Sequence, residues 1–390
     1  MKKTTRVNHP PPVELPAGNR ALVAPIYQSV KFEFETIEAT EAYLRGERAG
    51  FYYSRASNPT TRQLEQLLAE LQGREDCLVT ASGVGAISQT LLALTQQHDH
   101  VICFVETYPP TLYVIRRLLS RFGVAHTLLS IEDLAAVERT LAAQPTRLVF
   151  FESPTNPVTK IADIAALTRL AQSAGALTIM DNTFAGFHQH GGYEVDLFVH
   201  SLTKYASGAG DVMGGAVIAR GELIRSMRSD FGVLGGTLDP HAAFLILRGL
   251  KTYFVRYQAQ CASAFRLAQL LATHAAVERV HYPGLATHPQ HALAARQMQD
   301  FGTIVSFDLR GGARAARRFA GTVELFALAA SLGSTESLLV TAAMMGRTGF
   351  NTQQQRTSAI TEGTVRLSVG LEDVDDLLAD LGRALEVAGA

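Results

Sequence analysis

Lys204 lies in HSLTKYASGAGD, between the hydroxyl residues Ser201 and Thr203 and a glycine-rich turn, directly after the apolar run Val195 to Leu202. A lysine that closes a buried-type strand sits at the carboxyl edge of a sheet, where open α/β folds bind ligands. Its amine is placed to react with a carbonyl, and the two hydroxyls are placed to donate to an anion beside it. Read alone, the same lysine closes a strand and points to solvent equally well. Asp181 in TIMDNT ends another apolar run, one strand earlier. A carboxylate there either caps the next turn or faces the same edge as Lys204.

The two together match what pyridoxal phosphate needs. The aldehyde of that cofactor needs an amine, and its ring accepts electrons only while a buried carboxylate keeps the pyridine nitrogen protonated. Two further segments fit a phosphate. In ASGVGAI, Ser82, Gly83 and Gly85 precede a helical run, and backbone amides at such a helix start bind anions, although many such turns are only tight connections. In FYYSRASNPT, Tyr53 and Arg55 alternate and can face one ligand, and a guanidinium fits phosphate bidentately. The same stretch also reads as a loop ending in the cap of the helix that Asn58, Pro59 and Thr60 announce.

The elements that must position these groups follow from periodicity. TRQLEQLLAELQG has apolar residues at spacings of three and four, with Gly73 as its stop. Continuous apolar runs at 101–106, 147–154, 176–183, 195–205 and 214–220 are expected of strands covered on both faces. Helical patterns lie between them, clearest over 161–173, so the fold class is α/β, with a mostly parallel central sheet and helices on both faces. A long helical stretch from Pro240 leads to a smaller α+β region ending in a helix near 376–387. The expected division is an N-terminal arm over 1–55, a large domain over 56–245 and a small C-terminal domain over 246–390.

Composition narrows the function class. The 35 basic and 36 acidic side chains give a net charge of -1, which favours neither nucleic acid nor an anionic membrane. The three cysteines, Cys77, Cys103 and Cys261, are widely spaced and read as small buried apolar residues rather than a disulfide or zinc framework. His188 and His190 in FHQHGG lack a full ligand set, so no metal is expected and a surface turn is the reading. The lysines near the N-terminus have no apolar run behind them, and no membrane helix is expected, so a cytoplasmic enzyme acting on a small molecule is the expectation.

Taken in order, YSRASNPT, ASGVGAI, SPTNP (153–157), DNT (181–183), SLTKY (201–205), SLGSTESL (331–338) and VRLSVGLED (365–373) resemble the Cys/Met-metabolism family of pyridoxal-phosphate enzymes across nearly the whole chain. The resemblance implies the aspartate aminotransferase-like fold, known as fold type I. It implies that Lys204 is the Schiff-base lysine and proton shuttle and that Asp181 pairs with the pyridine nitrogen. Gly83, Val84, Ser201 and Thr203 then hold the phosphate, joined by Tyr53 and Arg55 from a neighbouring subunit. Tyr108 stacks on the ring and serves as acid or base near the sulfur, while Asn156, Ser331 and Arg366 bind the substrate carboxylate. A homotetramer with shared active sites is implied as well.

Three places depart from the family pattern: Gly208-Ala209-Gly210-Asp211 after the lysine, Pro109-Pro110 after the ring tyrosine, and Gly346-Arg347-Thr348. Ala330 stands where family members that cleave cystathionine at the γ-carbon often carry a glutamate. The expectation is a carbon–sulfur lyase working by β- or γ-elimination on sulfur amino acids. The alternatives are γ-replacement on an activated homoserine and, from another class, a non-catalytic cofactor-binding protein. Because one amine must serve repeated proton transfers, Lys204 is expected to titrate nearer neutrality than a free lysine.

Overall fold

A computed structural model describes residues 15–345 and 351–389. The Pro-rich segment His9 to Pro12 and the Gly346-Arg347-Thr348 departure lie outside the described residues.

The larger sheet has seven strands: β1 (Asp76–Thr80), β2 (His100–Phe104), β3 (Ala125–Leu129), β4 (Leu148–Glu152), β5 (Leu177–Asp181), β6 (Leu197–Ser201) and β7 (Gly215–Ala219). Their order is β1-β7-β6-β5-β4-β2-β3, with only β7 antiparallel to its neighbours. Alternate residues feed two cores: Ile102, Phe104, Val149, Phe151, Met180 and Phe198 pack on one face, and Val101, Cys103, Leu148, Phe150, Ile179 and Leu197 on the other. Both faces are covered at β2, β4, β5, β6 and β7, which is why these strands read as unbroken apolar runs. The three cysteines are free and buried.

Local signals set the helix ends. Asn58 caps the Pro59–Gln72 helix by accepting the Thr60 amide, Pro59 stands in its first turn, and Gly73 ends it in the left-handed conformation. The stretch from Pro240 is two helices, Pro240–Leu250 and Tyr253–Thr273, broken at Lys251 and Thr252. The N-terminal region holds a short helix, Ile37–Leu44, capped by Thr36, which sequence periodicity did not reveal. Its exposed residues carry no stripe facing a core of this chain. An isolated bridge between Lys31 and Tyr53 also ties that region together.

A second sheet of five strands, β8 (Val277–His281), β9 (Ile304–Leu309), β10 (Ala327–Leu328), β11 (Leu338–Thr341) and β12 (Thr364–Ser368), has the order β10-β11-β12-β9-β8. It has its own core, in which Val305, Phe307, Leu367 and Phe319 meet Leu381 and Leu385 of the Val374–Gly389 helix. Among the described residues no helix is long and apolar enough to cross a membrane.

Candidate active site

The carboxyl ends of β2, β4, β5 and β6, the N-terminus of the Gly83–Leu94 helix and the edge of the second sheet surround a cavity of about 510 Å³. Gly83, Val84, Asp181, Ser201, Thr203 and Lys204 line it from the large sheet's side. Tyr108, Asn156, Ser331 and Arg366 line it as well. Tyr53 and Arg55 do not. Arg55 lies 5.7 Å over the Tyr53 ring in an exposed stretch away from this cavity.

Lys204 follows β6 in a tight turn whose amides fold back on it, with the Gly208 amide donating to the Lys204 carbonyl at 2.9 Å. Its ammonium donates to Ser331 Oγ at 2.8 Å. Burial and the neighbouring Arg366 charge lower its pKa to about 8, against the opposing pull of Asp181. The shift is in the direction expected of an amine that must lose and regain protons.

Asp181 ends β5 and accepts the Thr183 amide at 3.0 Å. Burial raises its pKa, as it does that of Glu152, its register partner on β4, which is raised well above the ordinary range. Among the described residues no side-chain cation bonds to Asp181, so a protonated ring nitrogen placed against it would restore its charge.

Ser82 caps the Gly83–Leu94 helix by accepting the Gly85 amide at 3.0 Å, leaving the Gly83 and Val84 amides unpaired among the described residues. A Cβ on Gly83 would come within 2.8 Å of the Ser201 Cβ, so the helix start and Ser201 share one small space. That cradle, free amides beside a hydroxyl, suits a phosphate. Thr203 is partly engaged, its Oγ1 accepting the Gly214 amide at 3.1 Å. Lysine, carboxylate and anion cradle together fit pyridoxal phosphate.

Arg366 rises from the middle of β12 with its side chain buried. It donates to Asn156 Oδ1 at 2.9 Å and to the Ser331 carbonyl at 2.7 Å, while its Nε has no partner. Burial lowers its pKa to about 10. No carboxylate of the described residues pairs with this cation. Ser331 has φ 113°, strained for a residue with a side chain, and Arg366 holds its carbonyl in place.

Sequence reasoning missed Glu152. Its two oxygens accept the Tyr108 amide at 3.0 Å and the Asn156 amide at 2.9 Å, tying two lining loops to the end of β4. The available signal was an acidic residue ending LVFFE immediately before SPTNP. Also missed were Met344, Met345 and Ile360, apolar lining residues on loops of the second domain. His188 and His190 are not on a surface turn as expected. His188 bonds to the Tyr253 hydroxyl at 2.8 Å and His190 is buried against Asn182 Oδ1 at 2.8 Å, because this turn packs onto the Tyr253–Thr273 helix. Among the described residues no group of His, Cys, Asp and Glu could hold a metal ion.

Comparison with known proteins identifies the family. The chain is 42% identical over 372 residues to an L-methionine gamma-lyase of Pseudomonas putida, covering 94% of this chain and 93% of the relative. A solved cystathionine gamma synthase of Xanthomonas oryzae, in complex with aminoacrylate and cysteine, superposes with a TM-score of 0.89 at 37% identity and 94% coverage of each chain. A Campylobacter jejuni chain of O-acetylhomoserine (thiol)-lyase type, solved with N'-pyridoxyl-lysine-5'-monophosphate, has a TM-score of 0.88 at 32% identity, covering 94% of this chain and 96% of that one. The model of the Cys/Met metabolism PLP-dependent enzymes matches residues 6–386, and the chain belongs to that family of pyridoxal-phosphate enzymes of sulfur amino-acid metabolism.

Proposed function

We propose that this enzyme is a carbon–sulfur lyase that eliminates methanethiol from methionine at the γ-carbon. The observation that carries the substrate class is Arg366, a buried guanidinium with no carboxylate partner among the described residues and a free Nε, beside Asn156 and Ser331. A buried cation left unpaired is costly, and an α-carboxylate supplies the missing anion through two charge-assisted bonds. Around the small-domain wall, Ala330, Met344, Met345, Ser358 and Ile360 present no ionisable group, which suits an uncharged thioether. The 42% identity to a methionine gamma-lyase supports the same choice.

Bound pyridoxal phosphate supplies an electron-accepting ring covalently reachable from an amine. Gly83, Val84, Ser201 and Thr203 would hold its phosphate, Asp181 its ring nitrogen, and Tyr108 its face. Lys204, lowered towards neutrality, takes the substrate's α-proton and then a β-proton, so one amine serves both transfers. Tyr108, whose phenol is kept protonated by burial and the nearby Asp181 charge, stands ready to protonate the departing sulfur. Methionine and water thereby give methanethiol, ammonia and a four-carbon 2-oxo acid. The test is purified holoenzyme with methionine and no added thiol. Appearance of those products supports the proposal, whereas turnover only with an O-acylhomoserine plus a thiol establishes γ-replacement instead.

The same proposal includes the arm over 1–55, a large domain over 56–245 and a small domain over 246–390, and a cytoplasmic homotetramer built from dimers that share active sites. Supporting it, Tyr53 and Arg55 stand apart from this chain's cavity, and Leu22, Val23, Tyr27 and Val30 expose apolar surface on the same arm. Mixing inactive Arg55→Ala and inactive Lys204→Ala subunits should restore part of the activity. No restoration in demonstrably mixed oligomers would refute site sharing.

A further inference from the structure

Lys160 follows the SPTNP segment and is almost buried, its side chain 12% exposed. Its ammonium makes three hydrogen bonds to three different parts of the chain. One goes to Glu106 Oε1 at 2.9 Å, one to Glu132 Oε2 at 2.5 Å and one to the Thr357 carbonyl at 2.8 Å. Glu106 is buried, lines the cavity, and leads by way of Thr107 into Tyr108. It also accepts the Ile131 amide at 3.1 Å, which fixes its carboxylate from behind. Thr357 ends the Thr352–Thr357 helix of the second domain, and Ser358 and Ile360 just beyond it line the cavity. Lys160 itself is fixed, because its amide donates to Thr155 Oγ1 at 3.1 Å and its carbonyl accepts the Thr155 amide at 2.9 Å.

From this juxtaposition we infer that Lys160 is a positioning residue for substrate choice: it clamps the Ser358–Ile360 wall to the Glu106–Tyr108 loop and so sets the width of the cavity where a substrate's side chain lies. The carbonyls at a helix C-terminus carry partial negative charge that favours a cation, and Lys160 supplies that cation to Thr357 while Glu106 neutralises it within a buried setting. The inference rests on the reading that an amino-acid carboxylate occupies Arg366 and the side chain extends towards Met344 and Ile360.

The experiment titrates holoenzyme with norleucine and with glycine, following the absorbance of the bound cofactor. Norleucine fills the side-chain space without a leaving group, and glycine uses only the amine and carboxylate sites. The double variant K160M/E106Q removes the clamp without leaving an orphan buried carboxylate. Loss of one charged hydrogen bond at the wall should weaken norleucine about tenfold or more and leave glycine within about twofold. K160R keeps a charge for Glu106 and hence the fold, but its planar fork cannot copy all three bonds, so norleucine should weaken about threefold with glycine unmoved. Equal weakening of both ligands, or none of norleucine in either variant, overturns the inference. Failure of the unsubstituted enzyme to release methanethiol from methionine would instead sink the proposed reaction, and the norleucine–glycine comparison would still judge Lys160.

Discussion

Asp181 and Ser201 are the last residues of β5 and β6 and Lys204 follows directly, whereas Met344, Met345, Ser358 and Ile360 reach the same cavity from loops of the second domain. At the sheet edge each reactive group is fixed by a strand with both faces buried and by short bonds to its neighbours. The opposite wall is formed by loops, and Lys160 holds it through the Thr357 carbonyl. On the proposed function, chemistry common to many amino acids sits on rigid elements, and selection of one side chain sits on connections that vary easily. Substitutions at the first end should therefore remove turnover, and those at the second should redistribute it.

The largest effect is expected of Lys204→Ala. With no amine to carry protons, turnover should fall by about four orders of magnitude. Some cofactor should survive desalting, because the helix N-terminus and Ser201 would still hold its phosphate in the proposed site. Turnover within tenfold of the parent would show that another group carries the protons.

Arg366→Met should rank next. Two charge-assisted bonds at roughly 1.5–3 kcal/mol each correspond to a loss of about 10²- to 10⁴-fold in kcat/KM. Arg366→Lys should recover only part of it, since an ammonium lacks the planar fork that also meets Asn156 Oδ1 and the Ser331 carbonyl. Equal activity of the lysine variant and the parent would argue against bidentate recognition.

A third measurement tests the electrostatics of the sheet edge in the cofactor-free protein. Because the Lys204 pKa falls from 10.5 to about 8 on folding, the folded chain binds fewer protons than the unfolded one between those values. Parent stability should therefore rise with pH across that window relative to Lys204→Met. Below pH 8 the variant, freed from a buried ammonium, should be the more stable by about 3 kcal/mol, and the gap should close as pH rises towards 10.5. A gap independent of pH would place Lys204 in water rather than in a desolvated site.

The two ends also differed in how far the sequence betrayed them. Strands covered on both faces announced themselves as apolar runs, so the positions of Asp181 and Lys204 could be read from where the runs stop. Two strands of the larger sheet escaped, and those of the second sheet were foreseen only as part of a smaller α+β region. DCLVT begins too soon after a helix to show its own boundary, and AHTLL is partly exposed and lacks a clean pattern. The break at Lys251 and Thr252 carries no proline, so one apolar stripe ran on through two helices. Glu152 was hidden because its role lies in bonds to the amides of Tyr108 and Asn156, which depend on loop paths that no periodicity encodes. The distal wall was illegible for the same reason: Met345 and Ile360 are ordinary apolar residues until the fold brings them beside Arg366.

The smallest effect is expected at Ala330, which lines the cavity from the loop before Ser331 and is itself exposed. An uncharged residue there gives the distal ammonium of cystathionine nothing to bind, so Ala330→Glu adds one carboxylate for it. Had the position been buried, a charged hydrogen bond would shift specificity by about 10- to 150-fold. Exposure brings the new pair down to the range of surface ion pairs, up to about 1 kcal/mol or roughly fivefold. The ratio of kcat/KM for cystathionine cleavage to that for methionine elimination should therefore rise by up to about fivefold, mostly through KM, and fall back as salt screens the pair. A rise that persists at high salt would mean that the carboxylate reshapes the wall instead of pairing with the ligand. No rise at all would move the choice of substrate away from Ala330, towards the Tyr108–Pro110 loop and the Ser358–Ile360 wall that Lys160 holds together.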